Sequence, residues 1–128
     1  MIAAELERAQ GHFAEAERLA RSALASLQEL RAESNEIMIV RALLAESLLG
    51  LGRPGDARVQ IEAAIALHAQ TNFREDYAAE HEVTLAKIEM AEGKRAAAIE
   101  RAQRALAVFD HHPRHRQSRA DAERLVAR

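Results

Sequence analysis

The sequence contains no cysteine, which excludes disulfide stapling and thiolate chemistry and leaves nothing to suggest an oxidising compartment. Aromatic residues make up only 3% of it, and alanine, the best helix former, carries much of the apolar share. Two prolines and five glycines leave few breaks in 128 residues, which points to a few long helices. No run of about 18 apolar residues occurs, so no membrane span is expected. The start, Met1-Ile2-Ala3-Ala4-Glu5, lacks a basic region followed by an apolar stretch and does not read as a signal peptide. A dominant charge is missing too: the formal net charge is −2, with 30% of residues charged and both signs interspersed. Such a surface sets up no strong field for nucleic acid or anionic lipid. The expectation is a cytoplasmic protein.

What is present is ordinary in amount and unusual in spacing. A hydrophobic content of 48% is normal for a globular chain, and the length suits one domain with a real core. Gly11, Gly52 and Gly93 recur at a constant offset, every 41 positions. At the same offset Ala4, Ala45, Ala86 and Ala127 align, as do Ala16, Ala57 and Ala98, then Ala23, Ala64 and Ala105. Leu24, Ile65 and Leu106 add a large apolar position in phase. Each glycine is followed by an amphipathic stripe, such as Ala16, Leu19, Ala20, Ala23, Leu24 and Leu27, and is preceded by another, such as Ile37, Val40, Leu44, Leu48 and Leu51. Each copy therefore reads as helix A, a glycine turn, and helix B. Glycine suits the turn because it takes positive φ at little steric cost. Helices are expected at 2–9, 13–32, 36–51, 55–70, 74–91, 95–110 and 117–127. Pro54 fits a first helical turn, Asn72 with Glu75 fits a capping box, and Pro113 fits a stop. The aligned alanines permit close helix crossings, and stacking of neighbouring hairpins creates the core.

A glycine closing helix A, an alanine five residues later and another seven after that resemble the tetratricopeptide repeat, over essentially the whole chain. Gly11/Ala16/Ala23, Gly52/Ala57/Ala64 and Gly93/Ala98/Ala105 carry the likeness, with Ala4, Ala45, Ala86 and Ala127 as the small residue of helix A. The repeat of that family is usually about 34 residues, so 41 implies longer helices. Its helix-A tyrosine is replaced here by Glu7, Leu48 and Glu89, and only Phe13 stands near its aromatic position after the turn. The long, alanine- and arginine-rich form is similar to repeat regions of large bacterial signal-responsive regulators, where a solenoid is coupled to a DNA-binding or kinase domain. The resemblance implies an all-α, right-handed superhelix of about three hairpins plus a terminal helix. The repeats would cover about 1–33, 34–72 and 73–113, with the terminal helix at 114–128. Read in this register, the chain begins and stops partway through a helix A, as a segment of a longer solenoid or as a pair of capping elements.

The same resemblance implies a non-catalytic module that binds a peptide or helix of a protein partner in a concave groove lined by A helices. Carried over, the groove positions are Glu5 and Arg8, then Ile39, Ala42, Glu46 and Leu49, then Glu80, Val83, Lys87 and Met90, then Asp121, Arg124 and Arg128. Glu46 and Lys87, one repeat apart, are expected to be neighbours. The lysines and asparagines of a carboxylate clamp for a partner's tail are not found there. The alternative function is a structural or self-association segment of a larger regulatory protein, which exposure of Leu125 and Val126 would support.

Other clusters point elsewhere more weakly. In Asp110-His111-His112-Pro113-Arg114-His115 the proline prevents the helical geometry that would aim His111 and His115 at one metal ion, so a polar loop is expected and no cofactor. His81-Glu82 is not a zinc-protease motif, because Leu85 holds the second histidine position. Glu15 and Glu17 do not face each other on a helix. No phosphate-cradling loop or nucleophile motif occurs, and no enzymatic activity is expected. The tail arginines Arg114, Arg116, Arg119, Arg124 and Arg128 lack aromatic partners for stacking and are diluted by Asp121 and Glu123, which argues against nucleic acid.

Overall fold

The computed structural model describes residues 11–30, 34–70 and 74–127, Ser34 by its backbone alone. Six helices and no strand occur among the described residues: α1 Phe13–Glu29, α2 Ser34–Gly50, α3 Pro54–Gln70, α4 Glu75–Ala91, α5 Arg95–Phe109 and α6 Arg116–Val126. The expected helix over 2–9, with Ala4, Glu5, Glu7 and Arg8, lies outside the described residues, as does Arg128.

The period of the sequence survives in the backbone. Helices α1, α3 and α5 begin at Phe13, Pro54 and Arg95, and α2, α4 and α6 at Ser34, Glu75 and Arg116, each series advancing by the offset that separates the glycines. Gly11, Gly52 and Gly93 all take left-handed φ, at 82°, 75° and 83°. The last two close their helices with the same pair of bonds. Gly52 N–H donates to Leu49 and Arg53 N–H to Leu48, at 3.0 and 2.9 Å. Gly93 N–H donates to Met90 and Lys94 N–H to Glu89, at 3.1 and 2.8 Å. This bond pair satisfies carbonyls that the helix end would otherwise leave open, and it needs a left-handed residue at the glycine.

The chain divides into two compact units, Met1–Asn72 and Phe73–Arg128. In the first unit α2 packs against both α1 and α3. It is accordingly apolar around most of its circumference, burying Met38, Val40, Leu43, Leu44, Ala45 and Leu48. Ala16 and Ala20 of α1 and Ala57, Ile61 and Ala64 of α3 are also buried. Each large buried side chain contributes roughly 1.5–3 kcal/mol by leaving water. Gly50 has a separate packing reason: a Cβ there would lie 2.3 Å from the Phe13 ring. The chain's aromatic at that turn therefore fits only over a bare backbone.

In the second unit α4, α5 and α6 pack mutually. The core is Ala79, Val83 and Ala86 of α4, Ala98, Ala102, Ala105 and Phe109 of α5, and Ala122 and Leu125 of α6. Alanines make up most of the buried face of α5, which permits close helix approach, and Phe109 is its one large buried side chain.

Two details differ from expectation. The N-cap of α4 is Arg74, in extended backbone at φ −75° and ψ 144°, so the helix starts too late for a capping box based on Asn72, itself outside the described residues. Ala127 is the exposed C-cap of α6 and not a buried small residue, because the helix ends before it. Leu24, Ile65 and Leu106 are half-buried.

Candidate interaction face

The positions carried over from the repeat family fall into two groups. On α2, Ile39, Ala42, Glu46 and Leu49 follow a three-to-four-residue spacing and share one face of the helix. Ile39 is 46% exposed, and the other three are half-buried. This face presents apolar surface with a carboxylate beside it.

On α4 the corresponding positions are occupied in seating α6. Val83 is 2% exposed and belongs to the core, so it presents nothing to a ligand. Met90 is packed against the same core. Lys87 Nζ pairs with Asp121 Oδ2 of α6 at 2.6 Å, and Asp121 also takes a hydrogen bond from exposed Arg124. Glu80 accepts from His115 at 2.5 Å. Glu46 belongs to the first unit and Lys87 to the second. Leu125, at 5% exposure, and half-buried Val126 pack inward, so neither forms the exposed end face that self-association through α6 would use.

Sequence reading missed the cluster that holds the two ends of the second unit together. Asp76, in the first turn of α4, is 1% exposed. Two side chains compensate its buried charge. Arg74 donates to it through Nε and Nη2 at 3.1 and 2.8 Å. His115, the N-cap of α6, donates from Nε2 at 2.7 Å. His112 Nδ1 lies at 3.9 Å. The other nitrogen of His115 meets Glu80, so one imidazole bridges two carboxylates. Phe109 stacks on the His115 ring and Tyr77 meets it edge-on, each with centroids 5.6 Å away. The Arg74 guanidinium lies 5.4 Å above the Tyr77 ring.

The electrostatics follow from the geometry. Burial opposes charge on His115, but hydrogen bonds to Asp76 and Glu80 outweigh it and raise the imidazole above its ordinary 6.5. Burial likewise pushes Asp76 up, yet the His115 hydrogen bond and the Arg74 charge bring it below its ordinary 3.8. No group of three His, Cys, Asp or Glu side chains placed to hold a metal ion occurs among the described residues. Beside the cluster, a cleft of about 240 Å³ is lined by Arg74, Asp76, His111, His112, Pro113 and Arg114. It is smaller than the usual small-molecule site.

A second buried carboxylate joins the helices of the α4–α5 hairpin. Arg101 donates to Glu89, 6% exposed, at 2.7 Å and also to Glu82. One repeat earlier, in the α2–α3 hairpin, the equivalent positions hold Arg41, Leu48 and Gln60, and Arg41 donates to Gln60 at 2.9 Å. The same crossing is thus polar-linked twice, and Glu89 occupies the place of the fully buried Leu48. His81 is buried on α4, and no motif joins it to Glu82, which is engaged by Arg101.

Comparison with protein-family profiles and with curated proteins finds no match to the chain.

Proposed function

We propose that this chain is a non-catalytic interaction module of tetratricopeptide-like hairpins that binds a peptide or helix of a partner protein along its A-type helices. The observation that carries the reading is the α2 face, where Ile39 stands 46% exposed in line with Ala42, Glu46 and Leu49 on a helix that buries Met38, Val40, Leu43, Leu44, Ala45 and Leu48. An exposed isoleucine on such a row suits the apolar anchor of a docked segment, and Glu46 favours a partner with a basic residue beside that anchor. The recurrence of helix starts with one fixed period supports a hairpin-repeat architecture for the display of such faces.

The test is capture from the native lysate by the wild-type chain and by Ile39→Glu, with mass spectrometry as readout and circular dichroism confirming the variant's fold. Because Ile39 is exposed, the variant is expected to fold. A partner held by the wild type and lost by the folded variant supports the α2 face. Identical capture by both sinks it. A second reading, self-association as part of a larger regulatory protein, draws on Val59 at 64% and Leu30 at 78% exposure in the first unit. Molecular size that rises with concentration, and falls back in Val59→Glu, would favour that reading.

A further inference from the structure

We infer that the His115 bridge is a pH-sensitive latch, seating α6 on α4 while the imidazole carries both protons and loosening it when the ring gives one up. The bridge uses both ring nitrogens as donors, Nδ1 to Glu80 at 2.5 Å and Nε2 to Asp76 at 2.7 Å. A neutral imidazole has one N–H. Whichever nitrogen loses its proton then turns a lone pair toward a carboxylate oxygen at hydrogen-bond distance. The side chain is 7% exposed, so water cannot readily fill in.

The position of the residue makes this a latch for one element. His115 is the N-cap of α6, and both its acceptors are on α4. The surrounding charges do not duplicate its role. From the α4 side, Arg74 is bound to Asp76, and Glu75 accepts from His112 at 3.2 Å. His112 is the other imidazole near Asp76, but at 3.9 Å and in the loop before α6. From α5 comes the uncharged Phe109 ring, and the following Asp110 is taken by Arg119 of α6 at 2.7 Å. Toward the other end of α6, the Lys87–Asp121 pair is a tether that involves no histidine.

The sign is fixed by linkage. His115 binds its proton more tightly in the folded molecule than its ordinary 6.5. Its contribution is therefore complete below about 6.5 and is lost as pH rises through the higher folded value. Asp76 works in the opposite sense at the acid end: its contribution is present above its ordinary 3.8 and is lost as pH falls through the lower folded value. Between those limits α6 is latched, and on the alkaline side it loosens first. Only the consequence for binding rests on the proposed function: α6 carries Asp121 and Arg124, so loosening it would withdraw them from the A-helix faces.

Two measurements on the same chain test the latch, and neither needs a partner. The imidazole shifts of His115 are followed by NMR from about pH 6 to about pH 9, spanning the ordinary and raised ranges. Hydrogen exchange of α6 amides, normalised to intrinsic rates, is followed over the same range with α2 amides as reference. The expected result is a loss of α6 protection of about tenfold or more that tracks the His115 titration, while α2 holds. His115→Gln should abolish the pH response and His112→Gln should leave it. If α6 protection stays flat while His115 titrates, the latch is overturned by the wild type alone, even if His115→Gln fails to fold. A response that persists in folded His115→Gln, or disappears in His112→Gln, also overturns it. Loss of the α2 partner in the capture experiment would leave this result untouched.

Discussion

Glycine does three different jobs in this chain, and one substitution tells them apart. Gly52 and Gly93 sit at φ 75° and 83°, where a side chain crowds the backbone. Gly52→Ala or Gly93→Ala should each cost about 1–2 kcal/mol in denaturant unfolding. Gly55, in the first turn of α3, has nothing within 4 Å of a built Cβ and no left-handed φ. Gly55→Ala should therefore stabilise, by about 0.4–1 kcal/mol, through the unfolded chain. Equal effects at all three sites would mean that the turns are not held as described. The turn glycines were legible in the sequence because their demand is local and recurs with the period. Gly50 was not, since its reason is the Phe13 ring, far back in the chain on α1. His115 was illegible for the same cause. Its two acceptors lie 35 and 39 positions back, and no periodic pattern marks a contact of that kind.

Among elements, the two hairpins solve one crossing with different chemistry. Leu48 closes it apolarly, and Glu89 closes it only with Arg101 across from it. Arg101→Gln should strand a carboxylate whose side chain is 8% exposed and cost about 2–3 kcal/mol, the half-buried arginine placing it below the full price of a broken buried pair. Glu89→Leu combined with Arg101→Gln copies the first hairpin at those two positions. It should recover most of that stability, because a packed apolar group often equals a buried ion pair. Chemical denaturation of the single and double variants checks both, and a double variant as weak as the single would show that the pair is not a unit. Helix spans were readable from amphipathic spacing and came out close to the expected bounds, as with 55–70 for Pro54–Gln70. The A-helix row of α4 is expected to line a groove only because the resemblance to the repeat family carries it over. It instead supplies Val83 to the core and Lys87 and Glu80 to α6. Spacing shows which residues share a face, but not which neighbour covers it.

On the scale of the molecule, the division at 72/73 makes stability regional. Ala57 and Ala98 are both 0% exposed at equivalent crossings, one in each unit. Ala57→Leu and Ala98→Leu should each overpack their own hairpin by about 1–3 kcal/mol. Hydrogen exchange should show Ala57→Leu loosening 11–70 more than 74–127, and Ala98→Leu the reverse. Unchanged melting in both variants would break the assigned register. The Glu89–Arg101 pair carries one more consequence. A chain built from look-alike helices must tell them apart while it folds, because each A-type helix meets several B-type candidates of similar shape. Leu48 would accept any of them. Glu89 would not: at the matching place α3 offers Gln60, and α5 alone offers a guanidinium. A buried charge that adds little to the depth of the native state can still act as an address, making the wrong partner the costly one.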